Sequence, residues 1–217
     1  MMILLATAIL LAGELPATMT PPPPRPETET GTSTAALPAD EAACRARLRS
    51  FGVVFAESAP IDEEEGCRAP HPLTLTRLSA TVALKPPAVL TCAMAEASAR
   101  FVHDHAAPLA EKTFKSQLAA VEQASAYVCR PRHGTQKLSE HAFANALDWS
   151  ALLLADGTRI EIRAHDAKEE PREFSLLAGL RKAACGPFST VLGPGSDADH
   201  ADHFHFDMAT RRNPFCQ

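Results

Sequence analysis

Aromatic residues are scarce in this chain, at 6% of 217 residues with one Trp and one Tyr. Few side chains are therefore available as stacking platforms for bases. Positive charge is not in excess either. The formal net charge is −5, which leaves no electrostatic footprint for nucleic acid, so no nucleic-acid partner is expected. No apolar run reaches the roughly 20 residues that a membrane-spanning helix needs. The N-terminal one extends only from Ile3 to Ala12, so no stable transmembrane span is expected in the mature domain. There is no G-x-S-x-G elbow to support serine hydrolase chemistry. There is no C-x-x-C pair, which argues against a thiolate zinc site.

What is present has a clear order. The stretch Ile3 to Ala12 fits the apolar core of a secretory signal, with small residues after it, although no Lys or Arg precedes it. Residues 1–19 are therefore expected to be a signal peptide or N-terminal anchor, placing the protein in the periplasm or cell envelope. Residues 20–39 are dominated by Pro, Thr and Glu and cannot bury enough apolar surface to fold. They read as a disordered linker. Residues 40–217 read as one folded domain, since hydrophobic residues make up 46% of the chain. The six cysteines, Cys44, Cys67, Cys92, Cys129, Cys185 and Cys216, are even in number and widely spaced. They suggest up to three disulfides in an oxidising compartment. Nearest-neighbour pairing is expected: Cys44–Cys67, Cys92–Cys129 and Cys185–Cys216.

Local patterns suggest α+β: an antiparallel sheet with helices packed on one side. Asp40 can cap a helix through about Ser50. Residues 52–58 and Leu78 to Leu84 read as strands, and Pro86 to His103 reads as a helix with prolines at its start. Residues 61–72 read as a loop whose acidic run, Asp62 to Glu65, lacks the alternating spacing of a calcium site. Ala124 to Cys129 suggests a strand. Asp156-Gly157 predicts a hairpin between Leu147 to Leu154 and Arg159 to Ala164. Pro171 to Ala184 predicts a helix, with Gly186 just past its end. Ser189 to Leu192 and His203 to Met208 predict strands.

That last strand carries the sharpest chemical signal. Alternation puts His203, His205 and Asp207 on one face and Phe204, Phe206 and Met208 on the other. Two histidines two apart on a strand can reach one zinc ion, or one can ligate while the other does chemistry. Upstream, His141 and Asp148 stand seven apart with small residues between them. Together His141, Asp148 and His205 form a candidate metal set. His71, His103, His105, His133 and His165 read as ordinary surface or hydrogen-bonded residues. His200 is expected beside the site or on the surface.

The segment Ser139-x-His141-x-x-Ala144-x-Ala146-x-Asp148 is similar to the S-x-H-x-x-G-x-A-x-D motif of the LAS zinc metallopeptidases. This group includes D-Ala-D-Ala carboxypeptidases, peptidoglycan endopeptidases and the hedgehog domain; Ala144 stands where Gly is usual. His203-x-His205 resembles the H-x-H of the group's endopeptidases. The stretch from about Cys44 to Cys216 also resembles the bacterial extensin-like C-terminal domain family. Its marks are Cys129-Arg130, Ser139-Glu140-His141-Ala142, Val191-Leu192-Gly193-Pro194 and Asp202-His203-Phe204-His205-Phe206-Asp207. That family is thought to share the LAS fold.

The resemblance implies a Zn2+ cofactor held by His141, Asp148 and His205, with water in the fourth position. His203 is then the candidate base and later acid, because an imidazole titrates in the useful range. The carboxypeptidase branch has a Glu there, so His203 favours the endopeptidase pattern. Arg130 and Arg132 can bind a substrate carboxylate or stabilise an oxyanion, or can be plain surface charge. Ser139 is expected to bond locally or contact substrate. Asp202 and Asp207 can orient the histidines, and for Asp207 an ordinary salt bridge is an equal reading. The expected function is peptide-bond hydrolysis in peptidoglycan stems or crosslinks, with peptidoglycan peptide as partner. The rivals are a non-catalytic zinc module and a structural wall protein.

Overall fold

The structure, a computed structural model, describes residues 36–217. The export segment and nearly all of the linker expected over 1–39 lie outside those residues. Eleven strands are described: β1 (Val54–Glu57), β2 (Ile61–Asp62), β3 (Arg68–Ala69), β4 (Leu73–Arg77), β5 (Ala83–Leu90), β6 (Leu118–Ser125), β7 (Ala146–Leu154), β8 (Arg159–Glu161), β9 (Thr190–Leu192), β10 (Phe204–Asp207) and β11 (Phe215–Cys216). The helices are α1 (Ala39–Ser50), α2 (Cys92–Phe101), α3 (Ala107–Phe114) and α4 (Pro171–Ala184). A π-helical turn, Val102–Ala106, joins α2 to α3, so the four make three continuous helical rods. Nine strands form one sheet in the order β1-β4-β5-β6-β7-β10-β9-β11, with β8 also pairing β7.

The class is α+β as expected, but the sheet is mixed. The β5–β6 and β9–β11 pairs are parallel and the other pairs in the sheet are antiparallel. The parallel β5–β6 pair exists because the α2–α3 rod carries the chain back to the start of the sheet, the crossover that parallel pairing needs.

The largest misreading lies around Pro86 and Pro87. These residues are inside strand β5, not at a helix start. The ladders explain how a sheet tolerates them. The β5 residues paired with β6 are Ala83 to Lys85, and those paired with β4 jump from Ala83 to Ala88 across a register shift. The prolines occupy the gap, where no ladder N–H is required. The true helix begins one residue after Thr91, whose side chain accepts the Met94 N–H at 3.2 Å. Of the strand read at Leu78 to Leu84, Leu78 to Val82 is a turn and only Ala83 and Leu84 lie in β5, and the strand read at Ala124 to Cys129 ends at Ser125. The Asp156-Gly157 hairpin forms, with Gly157 at φ +91° and Asp156 Oδ1 accepting the Thr158 N–H at 2.9 Å.

Disulfides join Cys44–Cys92, Cys67–Cys129 and Cys185–Cys216. Two of the three nearest-neighbour pairings are therefore corrected. Cys44 on α1 faces Cys92 at the start of α2 because those two helices pack together. Cys67 is left beside Cys129.

Under the sheet, Phe206 stacks on Phe188 at 4.6 Å and meets Trp149 and Phe101 at 5.4 and 5.7 Å. Phe204 lies against Gly193. A Cβ there would sit 2.8 Å from the Phe204 Cε1 and closer still to Cδ1. Phe204 is fully buried. Gly193→Ala is expected to cost about 1–3 kcal/mol of stability, read by urea denaturation.

Candidate metal centre

Strands β7 and β10 pair antiparallel with His205 directly opposite Asp148, and with Phe206 opposite Leu147. Opposed residues share a face, so the aromatic side of this pair enters the core while Asp148 and His205 face each other on the other side. His141 reaches the same point from a single 3₁₀ turn, Glu140–Phe143, just before β7. Ser139 caps that turn by accepting the His141 N–H at 3.4 Å. Ala144 ends it at φ 51°, a left-handed position that explains why Gly is natural there. The Ala144 carbonyl accepts the Thr91 N–H at 2.7 Å, which ties the turn to the start of α2. Asn145 Nδ2 donates to Glu140 Oε2 at 2.9 Å.

The three side chains converge. His205 Nδ1 lies 2.8 Å from Asp148 Oδ1, and His141 Nε2 lies 3.2 Å from both His205 Nδ1 and Asp148 Oδ2. All three residues are at most 9% exposed. Donors bound to one zinc at about 2.0–2.1 Å sit about 3.3 Å apart in a tetrahedron, so the spacing suits such an ion. The proton positions suit it as well. His141 Nδ1 is 2.5 Å from the Ala126 carbonyl, which can only accept, so Nδ1 carries the proton. His141 Nε2 then faces a second imidazole nitrogen and a carboxylate. His205 has its other nitrogen, Nε2, 3.2 Å from Asp207 Oδ2. Asp207 is itself held by the Ala209 N–H at 3.0 Å. Each histidine thus has an outer acceptor that turns a lone pair inward, the usual arrangement around a bound cation. His141, Asp148 and His205 can hold a metal ion.

Without an ion, a proton does part of its work. Burial alone would push the Asp148 carboxyl up, but hydrogen bonds and charge from His141 and His205 hold it well below the usual carboxylate range. Burial likewise lowers His205, yet Asp148 and Asp207 outweigh it and raise the imidazole to about 9. The signs fix the pH response of the metal-free domain. The His205 contribution is complete below its ordinary value of 6.5 and fades as pH rises through about 9. The Asp148 contribution is present above 3.8 and is lost as acid titrates the depressed carboxyl. A metal must expel the His205 proton below about 9. Zinc affinity is therefore expected to rise about tenfold per pH unit from pH 6 to 8, measured by competition with a chromophoric chelator.

The set lies at the base of a cleft of about 430 Å³. His203 is on its wall, although β10 begins one residue later, at Phe204. Its Nε2 lies 3.8 Å from Asp148 Oδ2 and its Nδ1 2.9 Å from Asp202 Oδ1. Asp202 therefore partners His203, and Asp207 partners His205. Arg130, Arg132 and Ser139 also line the cleft. Arg132 Nη2 is 3.5 Å from Glu140 Oε1, and Arg130 touches only the Pro131 carbonyl at 3.4 Å. The Cys67–Cys129 bond anchors the residue just before Arg130. Nearby, Tyr127 donates to Glu63, and burial together with that carboxylate pushes its phenol up to about 12.

His200, expected beside the site or on the surface, is beside it. Its ring lies 5.2 Å from that of His203 and 5.6 Å from that of His205, with Nδ1 2.6 Å from Asp197 Oδ1. The spacing His200-x-x-His203-x-His205 was the available signal, but a loop has no periodicity to say where it turns. His133, expected at the surface, is at the cleft rim and bridges to Asp199 at 2.7 Å. Arg211 and Phe215 went unnoticed altogether and line the far wall. Glu63, Cys67 and Cys129 also cluster, but both sulfurs are committed to a disulfide.

Three disulfides suggest an oxidising location. Among the described residues no helix is long and apolar enough to cross a membrane. No curated protein and no solved structure gives a significant match to the chain. The family described as Extensin-like protein C-terminus matches residues 42–217. The match takes in all six cysteines, the 3₁₀ turn with His141, both strands of the metal set and the whole cleft, so this chain belongs to the extensin-like C-terminal domain family.

Proposed function

We propose that this domain is an exported, zinc-dependent peptidase of the LAS type that hydrolyses peptide bonds in peptidoglycan stems or crosslinks. The observation that carries the reading is the convergence of two imidazole nitrogens and a carboxylate, buried at the base of an open cleft with His203 beside them. Three protein ligands leave a position for water, the arrangement of a catalytic site rather than a closed structural one. The similarity of the Ser139 to Asp148 segment and of His203-x-His205 to the LAS motifs supports it. The proposed chain order is an export segment at 1–19, a linker at 20–39 and the catalytic domain at 40–217.

Zinc held by His141, Asp148 and His205 would supply an acidified water and polarise the substrate carbonyl. The protein's own groups do the rest. Asp202 fixes the His203 tautomer by accepting from Nδ1, which leaves Nε2 directed into the cleft toward Asp148. That nitrogen takes the proton from the attacking water and returns it to the departing amine. Arg130 meets a substrate carboxylate; Arg132, already near Glu140, is positioned to steady negative charge beside it. Ser139 holds the His141 turn while its side of the cleft contacts the peptide backbone.

The test is purified domain incubated with crosslinked and monomeric muropeptides, with added zinc or with chelator, and analysed by mass spectrometry. Zinc-dependent product is expected. His203→Gln is expected to keep its zinc and to slow turnover by about 10²–10⁴-fold. No metal-dependent product from either substrate overturns the peptidase reading, and muropeptide binding without product assigns the domain to a non-catalytic module.

A further inference from the structure

The walls of the cleft come from opposite flanks of the β7–β10 pair. Arg130 follows β6 on one flank of the β7–β10 pair. Arg211 lies beyond β10, against β9 and β11, on the other flank. Arg211 is held rather than loose. Its Nε donates to Thr190 Oγ1 at 3.0 Å, and its guanidinium carbon lies 5.6 Å from the Phe215 ring centre. Phe215 in turn is fixed by its N–H to the Ser189 carbonyl at 2.8 Å and by the neighbouring Cys185–Cys216 bond. Among the described residues neither Arg211 nor Arg130 forms an ion pair: Arg211 bonds the Thr190 hydroxyl and Arg130 the Pro131 carbonyl. The Arg211 terminal nitrogens are therefore unspent, and Arg130 spends one of its own, Nη1, on the Pro131 carbonyl at 3.4 Å. A guanidinium with two parallel free N–H groups matches a planar carboxylate bidentately.

We propose that Arg211 is a second carboxylate-reading residue, opposite Arg130, and that the cleft selects a peptide with two carboxylates, one toward each wall. The inference rests on the reading of this cleft as a substrate cleft. Bonding through Nε to Thr190 leaves the far edge of the Arg211 guanidinium as the donating edge. Phe215, 43% exposed beside it, gives the ligand's apolar atoms a surface to cover. A monoanionic peptide meets one wall only. A dianion is fixed at two points, with the intervening amide held over His141, Asp148 and His205.

The probe is the stem pentapeptide Ala-γ-D-Glu-Lys-D-Ala-D-Ala, which has an internal and a terminal carboxylate. Two twins carry an amide in place of one or the other. Binding to the zinc-loaded full chain is measured by calorimetry, with inorganic phosphate as a separate titrant. The wild type is expected to bind the dianion about tenfold tighter than either amide. Arg211→Gln is expected to weaken the dianion by about tenfold and to become indifferent to one of the two amidations, with Arg130→Gln indifferent to the other. Arg211→Lys should restore part of the loss. Zinc content and melting temperature must stay unchanged, which separates ligand reading from support of the wall.

Equal sensitivity of Arg211→Gln to both amidations overturns the proposal. So does an unchanged affinity, phosphate binding equal to the pentapeptide's, or no saturable wild-type binding to any peptide. Turnover is scored apart: a dianion bound through both arginines but never cut leaves this inference standing and removes the peptidase reading. Cleavage indifferent to Arg211 does the reverse.

Discussion

His205→Ala and Asp148→Ala are expected to lower bound zinc from about one per chain to about a tenth or less after dialysis, with turnover lost by at least about 10³-fold. Each change removes one of three donors that lie within 4.8 Å of one another. It also strands the others: with His205 gone, Asp148 keeps a buried charge and one fewer partner. Asp207→Asn is the graded control. It leaves all three ligands in place and weakens only the acceptor on His205 Nε2. Zinc affinity should then fall by about 10–100-fold while full occupancy is still reached at high zinc. Metal analysis by mass spectrometry checks all three. A His205→Ala protein that retained stoichiometric zinc would discredit the site itself.

The second large effect is on the other face of the same strand. Phe206→Ala is expected to cost about 3–5 kcal/mol, measured by urea denaturation with disulfides intact. Phe206 is fully buried and packs on Phe101, Trp149, Phe188 and Phe204 at centroid separations from 4.6 to 5.7 Å. Those rings belong to α2, β7, the segment before β9 and β10 itself, so the cavity would sit where the helix meets the sheet. Relaxation there would move His205 as well. The variant is therefore also expected to bind zinc more weakly, whereas Phe114→Ala, at the edge of the core, should lose stability without that second effect.

Much of the site was legible because its logic is local or periodic. Alternation along His203 to Met208 separates aromatic from imidazole residues without any knowledge of neighbours. Asp156-Gly157 announces a turn whatever lies around it. The motif resemblance then linked two distant segments that composition could not connect. The failures share a different cause. Prolines Pro86 and Pro87 signal a helix start locally, and only the offset between two neighbouring ladders makes a strand acceptable there. Asp197 and Arg211 come from loops whose path is set by contacts far away in sequence, such as Arg181 Nη2 to Ser196 Oγ at 2.7 Å. No period marks such residues. The same holds for Ala126, whose carbonyl fixes the His141 tautomer although its side chain carries no chemistry.

The crossed pattern of Cys44–Cys92 and Cys67–Cys129 bears on how the chain reaches this state. Cys67 lies between the partners of the first bond, and Cys92 lies between those of the second. A chain oxidised progressively from its N-terminal end presents Cys44 and Cys67 to each other before Cys92 is available. The pair formed first is then the wrong one, and it occupies a cysteine from each native bond. Native connectivity requires that early bond to be attacked by a later thiolate, or oxidation to wait until α1 has docked on α2. The order in which cysteines meet an oxidant is thus an assembly problem for this domain.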